Sequence, residues 1–353
     1  MITRFRLENF KAHRDTDLVL RPFTVLVGDN SSGKTSVLEA LGLSGELVRH
    51  ATQGTMPKLD ELLRRGAKHM GLTYEGRAGH ESWTTSVEIS GFESPHAIQL
   101  HLSSSALPPS IVPLSNLQTY QWVLSSIAGR VGRATLYRFR AEQVAATAYS
   151  DKAGVSVAED GAQTAVVLAD LKLSDDERFD RIEEALRKLV PSLERLRIAP
   201  AMVKHPSSPS LVRGSKLHFD FLGAKDIPGH HASQGTLVVL ALLTVLHGPD
   251  RPSVILLDDF DQSLHPRAQM ELVRMLKELL ALDEFKDTQI IATTHSPFVL
   301  DEVSPSDVIA FALRDDGTVA AKPLSEHPDA PRVNGSLKAG ELWTLDAERD
   351  WVR

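Results

Sequence analysis

Residues 28–35, Gly-Asp-Asn-Ser-Ser-Gly-Lys-Thr, fit the pattern G-x-x-x-x-G-K-[ST]. The run at 23–27 that precedes them is apolar enough for a strand buried on both faces. The next segment, 35–48, reads as a helix, with Val37, Leu38, Leu41 and Val48 apolar. Between a buried strand and a helix, glycines let successive backbone N–H groups turn inward on phosphate oxygens, helped by the helix N-terminus. Asn30, Ser31, Ser32, Gly33, Lys34, Thr35 and Ser36 are therefore the candidate nucleotide-binding residues. Lys34 is expected at the β- and γ-phosphates of ATP, and the Thr35 hydroxyl at Mg²⁺. A chain carrying this loop is expected to build an α/β fold with a parallel sheet.

The rest of the chain supports that class. Phe5 and Leu7 alternate with Arg4, Arg6 and Glu8, a half-buried strand pattern, and 18–20 is a second short run. Residues 50–135 are less regular, with strand-like pieces near 83–89 and 97–102 and a helical pattern at 116–127. A strand at 135–139 is expected to return the chain to the main sheet. Residues 175–196 read as an amphipathic helix broken at Pro191, 217–221 as a strand, 236–247 as a strongly apolar helix, 253–257 as a buried strand, 266–282 as an amphipathic helix and 289–292 as a strand.

Two segments of the second half carry candidate chemistry. The strand 253–257 ends in Asp258 and Asp259. The first carboxylate at such a strand end sits beside a phosphate loop and holds Mg²⁺, which assigns Asp258; Asp259 is placed to orient or deprotonate the attacking water. The strand 289–292 runs into Thr293-Thr294-His295-Ser296, where His295 is positioned to hydrogen-bond a γ-phosphate or that water. Ser233, Gln234 and Gly235 open the apolar helix with ordinary capping chemistry, and their exposed N–H groups suit a phosphate already gripped by another subunit.

Together these segments resemble the ABC-type ATPase heads of the branch containing RecF, SMC proteins and the OLD (overcoming lysogenization defect) ATPases, most closely standalone OLD-like proteins of the AAA family. The resemblance rests on LENFKAHRDTDLVLRPFTVLVGDNSSGKTSVLEAL, on ASQGTLVVLALL as a variant signature, on ILLDDFDQSLHP as the Walker B and D-loop region, and on IIATTHSPFVLD as the switch-histidine segment. It implies an α/β phosphate-loop fold, an ABC ATPase head with a mixed or parallel central sheet, an N-terminal antiparallel β subdomain and a helical signature lobe. The implied organisation is one head: 1–49 as N-terminal β and Walker A half, 50–135 as an inserted variable subdomain, 136–232 as return strands and helical lobe, 233–325 as signature, Walker B and switch-histidine half, and 326–353 as a tail.

Such heads dimerise around ATP, so the resemblance implies a homodimer or higher homo-oligomer. Lys34, Thr35 and Asp258 of one copy would hold Mg-ATP and Ser233 of the other would cap the γ-phosphate, with Lys34, Asp259 and His295 as the catalytic set. The usual glutamate after the Walker B aspartate is Asp259 here, which implies slow turnover. A clear Q-loop is missing; Gln143 is its candidate, and Arg138 and Arg140 resemble basic residues near this point in OLD-like proteins.

Composition narrows the function classes. The 353 residues include 39 basic and 46 acidic side chains, a net charge of −7, which weighs against a surface that binds nucleic acid everywhere. A run with Arg130, Arg133, Arg138 and Arg140 leaves nucleic acid open as a partner, as in a RecF-like repair ATPase. Cysteine is absent, which removes disulfides and thiolate sites and fits a cytoplasmic protein. The longest apolar stretch, 237–246, is about half of the roughly 20 residues that span a bilayer, so no membrane is expected. The long insertion and the SQGT signature argue against a transporter ATPase. Too few residues follow His295 for an appended nuclease domain, so the expected function is an ATPase that gates a separate effector, a nuclease or toxin, in DNA-related or antiviral defence. The tail holds Trp343 and Trp351, and packing on its own domain is favoured over docking a partner.

Overall fold

The computed structural model describes residues 1–55, 58–79, 81–92, 98–105, 107–116, 118, 121–151, 154–204, 210–332 and 337–352. The chain divides into two compact units, the first built from Met1–Leu136, Ser253–Asp259 and Val273–Arg353, the second from Tyr137–Pro252 and Phe260–Leu272.

In chain order the first unit begins with strands β1 (Ile2–Phe10), β2 (His13–Val19) and β3 (Phe23–Gly28), then helix α1 (Lys34–Gln53). Strands β4 (His69–Ala78), β5 (Glu81–Ser90), β6 (Gln99–Ser104) and β7 (Leu107–Pro113) come next, then α2 (Gln121–Val131) and β8 (Ala134–Tyr137). The second unit carries α3 (Ala141–Val144), α4 (Thr164–Ser174), α5 (Asp176–Leu189), β9 (Leu193–Lys204), β10 (Leu211–Phe221), β11 (Ala224–Pro228) and α6 (Gln234–His247). The chain then returns through β12 (Val254–Leu257), α7 (Pro266–Leu280), β13 (Gln289–Thr293), α8 (Pro297–Leu300), β14 (Val308–Leu313), β15 (Val319–Pro323), α9 (Ala339–Leu345) and α10 (Glu348–Trp351).

The first unit holds two six-stranded sheets. One is antiparallel, in the order β2-β1-β4-β5-β6-β7. Its alternation is direct: Phe5 and Leu7 of β1 are fully buried while Arg4 and Arg6 face out, and Phe5 meets Tyr74 of β4 with ring centroids 4.8 Å apart. The region 50–135, expected as an inserted subdomain, supplies four strands of this same sheet. Of the elements expected there, the helix at 116–127 is found at Gln121–Val131, and residues 93–97, 117, 119 and 120 lie outside the described residues.

The second sheet runs β15-β14-β3-β13-β12-β8. Strands β14, β3, β13 and β12 are mutually parallel and β15 is antiparallel to β14. Every residue of β3, β12 and β13 is buried, the signature of parallel strands covered on both faces. Helix α1 packs between the two sheets, where Tyr74 donates its hydroxyl to the Ala40 carbonyl at 3.0 Å. Gln289, at the start of β13 and fully buried, accepts from the Ile2 amide at 3.2 Å and donates to the Ile2 and Arg21 carbonyls at 2.9 Å each. It thereby ties the first strand to the parallel sheet.

The second unit combines helices with the three-stranded sheet β11-β10-β9. Helix α6 is buried almost all round, which matches its uniform apolar sequence. The helix expected over 175–196 ends at Leu189, and Leu193 and Leu196 belong instead to the twelve-residue strand β9. Pro191 forces Val190 out of helical geometry, and the two leucines that continue the apolar spacing point inward from a strand just as well. No helix among the described residues is long and apolar enough to cross a membrane.

Candidate nucleotide-binding site

The loop after β3 has the backbone that its glycines were expected to permit. Gly28 has φ 137°, and a Cβ there would lie 2.3 Å from the Phe311 carbonyl oxygen on β14. Gly33 has φ 102°, and a Cβ there would lie 2.8 Å from His13 Nε2. Only glycine fits either position. Ser31, at φ 65°, also takes a left-handed conformation. Asn30 and Ser31 are exposed and Ser32 is buried, with an Oγ that has no hydrogen-bond partner. An orphaned hydroxyl inside a loop of inward-turned amides is a group that a phosphate oxygen would satisfy.

Lys34 begins α1 and is 6% exposed. Its ammonium donates to the carbonyls of Gly28 at 2.7 Å and Asp29 at 2.9 Å. Burial lowers the Lys34 pKa, and the carboxylates of Asp259, Glu348, Asp258 and Asp29 oppose that shift.

At the far end of the loop the Thr35 hydroxyl donates to Asp258, 3.0 Å from Oδ1 and 3.2 Å from Oδ2. Thr293, the last residue of β13, bonds both carboxylates at the end of β12. Its Oγ1 accepts from the Asp259 amide at 2.7 Å and lies 2.9 Å from Asp258 Oδ1 and 3.3 Å from Asp259 Oδ1. Asp259 takes φ 50°, a left-handed turn immediately after the strand, and its Oδ1 stands 4.0 Å from His295 Nε2. Parallel pairing of β12 with β13 and of β13 with β3 brings these strand ends side by side, so Lys34, Thr35, Asp258, Asp259 and His295 converge on one edge of the sheet.

The hydroxyl of Thr35 and the carboxylate of Asp258 are hard oxygen donors adjacent to a phosphate loop, a set that suits Mg²⁺ held jointly with phosphates. No group of three or more His, Asp or Glu that could hold a metal ion occurs among the described residues.

Three residues were not singled out from sequence. His13, fully buried, sits behind the loop with Nε2 3.1 Å from the Gly33 carbonyl and Nδ1 2.9 Å from the Thr16 hydroxyl. A carbonyl can only accept, so Nε2 carries the proton and Nδ1 accepts from Thr16. Burial depresses the His13 pKa to about 4 against the opposing Gly33 hydrogen bond. Thr293 was read only as the start of the polar turn after the strand at 289–292; it ends β13, and its hydroxyl is the detail that side-chain pattern could not supply. Glu348 lies in the tail: together with Trp343, Thr344, Asp346 and Ala347 it lines a cavity of about 430 Å³ whose other walls are Gly28, Asp29, Asn30 and His295. The tail packs on its own unit, as favoured from sequence, with Leu342 and Val352 buried and Trp351 set edge-on to His327 at 4.9 Å.

The remaining candidates belong to the second unit. Ser233 caps α6, accepting from the Thr236 amide at 3.1 Å, and is itself exposed. Gln234 accepts from the Ser263 hydroxyl at 3.2 Å. Gly235 is buried where a Cβ would come 2.7 Å from the Ser263 carbonyl oxygen, so the segment after Asp259 presses on the start of α6. Gln143 lies on the short helix α3, and Arg140 pairs with Asp160 at 2.9 Å. Arg138 donates its amide to the Glu159 carbonyl.

Residues 118–301, more than half of the chain, match the family described as "AAA domain, putative AbiEii toxin, Type IV TA system", and residues 1–44 match an AAA ATPase domain. The chain is similar to the Septu protein PtuA of Bacillus thuringiensis, 33% identical over 75 residues that make up 21% of this chain and 18% of that protein. It is also similar to the DNA replication and repair protein RecF of Frankia alni, 38% identical over 69 residues, 19% of this chain and 17% of that protein. The chain thus spans under a fifth of the length of either relative. Among solved structures, an SMC head bound to the C-terminal winged-helix domain of ScpA superposes with a TM-score of 0.61 at 16% identity, covering 92% of this chain and 98% of that one. An Smc head from Pyrococcus furiosus gives 0.58 at 14% identity, covering 92% and 96%. The fold is that of an SMC-type ATPase head.

Proposed function

The chain belongs to the AAA domain family whose profile covers residues 118–301, and from that premise we propose that it binds and slowly hydrolyses Mg-ATP, dimerises around the nucleotide and gates a separate effector. The convergence of Lys34, Thr35, Asp258, Asp259 and His295 at one sheet edge carries this reading. On binding, Lys34 exchanges its two loop carbonyls for β- and γ-phosphate oxygens, and the Ser32 hydroxyl finds an acceptor. Thr35 and Asp258 hold Mg²⁺, which neutralises charge on the phosphates. His295 and Asp259 flank the γ-phosphate end, and Asp259 is fixed there by Thr293 rather than free to swing. A shorter carboxylate, tied down by its neighbour, suits slow turnover better than a fast motor.

Ser233, Gln234 and Gly235 of a second copy cap the γ-phosphate in this reading, so nucleotide joins the two copies and its loss releases them. The exposure of Ser233 at the tip of α6 supports it. The effector is a nuclease or toxin acting in DNA-related or antiviral defence. Support for that class comes from the family description, which names a toxin of a toxin–antitoxin system, and from the likeness to a RecF named for DNA replication and repair. The same RecF likeness supports a second reading, a repair ATPase that contacts DNA itself, which strongly salt-dependent duplex binding would favour.

Mass in solution with and without Mg-ATP tests the mechanism, comparing wild type with Asp259→Ala. The expected result is a monomer that becomes a dimer in ATP, with the dimer longer-lived in the variant. A mass that does not respond to nucleotide in either protein overturns it.

A further inference from the structure

The cavity at the mouth of the phosphate loop has one wall that no phosphate-loop motif accounts for. Trp343, Thr344, Asp346, Ala347 and Glu348 of the C-terminal segment face Gly28, Asp29, Asn30 and His295 across about 430 Å³. The placement is built rather than casual. Gly340 of α9 approaches so closely that a Cβ would lie 2.2 Å from the Pro297 carbonyl oxygen, two residues beyond His295. The Gly340 amide also donates to Asp301 Oδ1 at 3.1 Å. At the other end, Val352 is buried and Lys322 donates to the Trp351 carbonyl at 2.9 Å. The segment is held at one end against the residues that follow His295 and at the other against β15.

Within it, Glu348 is 7% exposed, and its Oε1 accepts from the Trp343 indole N–H at 2.7 Å. No Lys, Arg or His forms an ion pair with it among the described residues. The carboxylate thus borders the cleft at the phosphate loop with one oxygen held by a neutral donor. Its charge also reaches Lys34, where it acts more strongly than that of Asp258.

We propose that Glu348 is a catalytic carboxylate of this site, holding the attacking water at the γ-phosphate end opposite His295 and accepting its proton. The inference rests on the nucleotide-site reading above. One oxygen is fixed by Trp343, which leaves the other for the water. As the water oxygen bonds to the γ-phosphorus, one of its protons passes to Glu348. The bond from that phosphorus to the β,γ-bridging oxygen breaks, and its electron pair leaves on ADP. The proton then moves to the departing phosphate, restoring the carboxylate. Asp259 retains a share in orienting the water, but the proton goes to the residue with the longer reach and the drier surroundings.

Glu348→Gln is isosteric, and its amide oxygen still accepts from Trp343, so the fold is retained. The intact chain is assayed for ATP turnover and, separately, for binding of the non-cleavable analogue adenylyl imidodiphosphate. The expected result is a kcat lower by at least about tenfold with the analogue dissociation constant within about twofold of wild type. A kcat within about twofold of wild type overturns the proposal, as does tighter analogue binding with raised kcat/KM, which would make Glu348 a mere repellent of nucleotide. If Glu348→Gln melts early, Trp343→Phe serves instead: it keeps the ring and removes the N–H, and undiminished kcat in that variant also overturns the proposal. Lys34→Ala separates the two readings. If it binds the analogue as wild type does, the nucleotide-site reading itself fails, whatever Glu348 does.

Discussion

The Thr35 hydroxyl donates to the Asp258 carboxylate at 3.0 Å, joining the end of the phosphate loop to the end of β12 across 223 positions of sequence. This bond brings the two oxygen donors expected for Mg²⁺ together before any cation arrives. Asp258→Asn keeps the shape and the hydrogen bond but removes the charge that the cation needs. Phosphate release in Mg-ATP should therefore fall by about a hundredfold or more, while analogue binding without divalent metal changes little. Equal losses in both assays would mean that Asp258 is structural.

Gln289 satisfies three backbone groups at once, the Ile2 amide and the Ile2 and Arg21 carbonyls. Gln289→Leu fits the volume but leaves those groups unpaired in a dry core. The expected cost is about 3 kcal/mol, read as a lower denaturation midpoint with an unchanged slope. Because the clasp lies at the end of β13 away from Thr293 and His295, the folded fraction should still bind nucleotide.

His13 makes stability depend on pH. The imidazole titrates near 6.5 in an unfolded chain and near 4 in the fold, so between those values the unfolded state binds the extra proton. Its contribution to stability is therefore present above pH 6.5 and is lost as pH falls towards 4. The loss is roughly 3 kcal/mol. His13→Gln should be less stable than wild type at pH 7.5 but lose less on acidification. Denaturant unfolding at pH 7.5, 6, 5 and 4.5 would show the two curves converging; parallel curves would remove His13 as the cause.

Gly28→Ala combines an unfavourable φ with a Cβ 2.3 Å from the Phe311 carbonyl oxygen. Neither the loop nor β14 can yield without moving a strand. The variant should lose about 2 kcal/mol or more of stability and bind the analogue at least about tenfold more weakly. Thermal unfolding and analogue titration measure the two effects independently.

Much of this architecture was legible from residue order alone. The run at 23–27 and the apolar segment at 253–257 announced a parallel sheet, because strands covered on both faces must be apolar throughout, and the glycine loop marked a candidate phosphate site. Lys34 and Thr35 open the helix after the glycine loop, and Asp258, Asp259 and His295 stand just past the C-terminal end of a buried strand, where polar residues interrupt an apolar run and so declare themselves. Contacts without periodicity were beyond the reach of pattern. Nothing in the alternation of β2 marks His13 as the brace behind Gly33. Likewise Glu348 lies in a short acidic helix near the end of the chain, where a carboxylate ordinarily faces solvent. Leu193 and Leu196 misled for the opposite reason, since a spacing of three serves a helix face and, after Pro191, an inward-facing strand equally.

Lys34 is held by two carbonyls of its own loop, and that arrangement sets a threshold for what can lodge beside it. An arriving anion must replace both bonds and draw the ammonium off oxygen atoms that already suit it. In the proposed reading a triphosphate engages the ammonium, the loop amides and the shared cation simultaneously, whereas a lone sulfate or orthophosphate engages fewer of them. Small anions abundant in the cell should thus compete poorly here, and selectivity for polyphosphates would stem from the side chain's own resting grip rather than from any added filter.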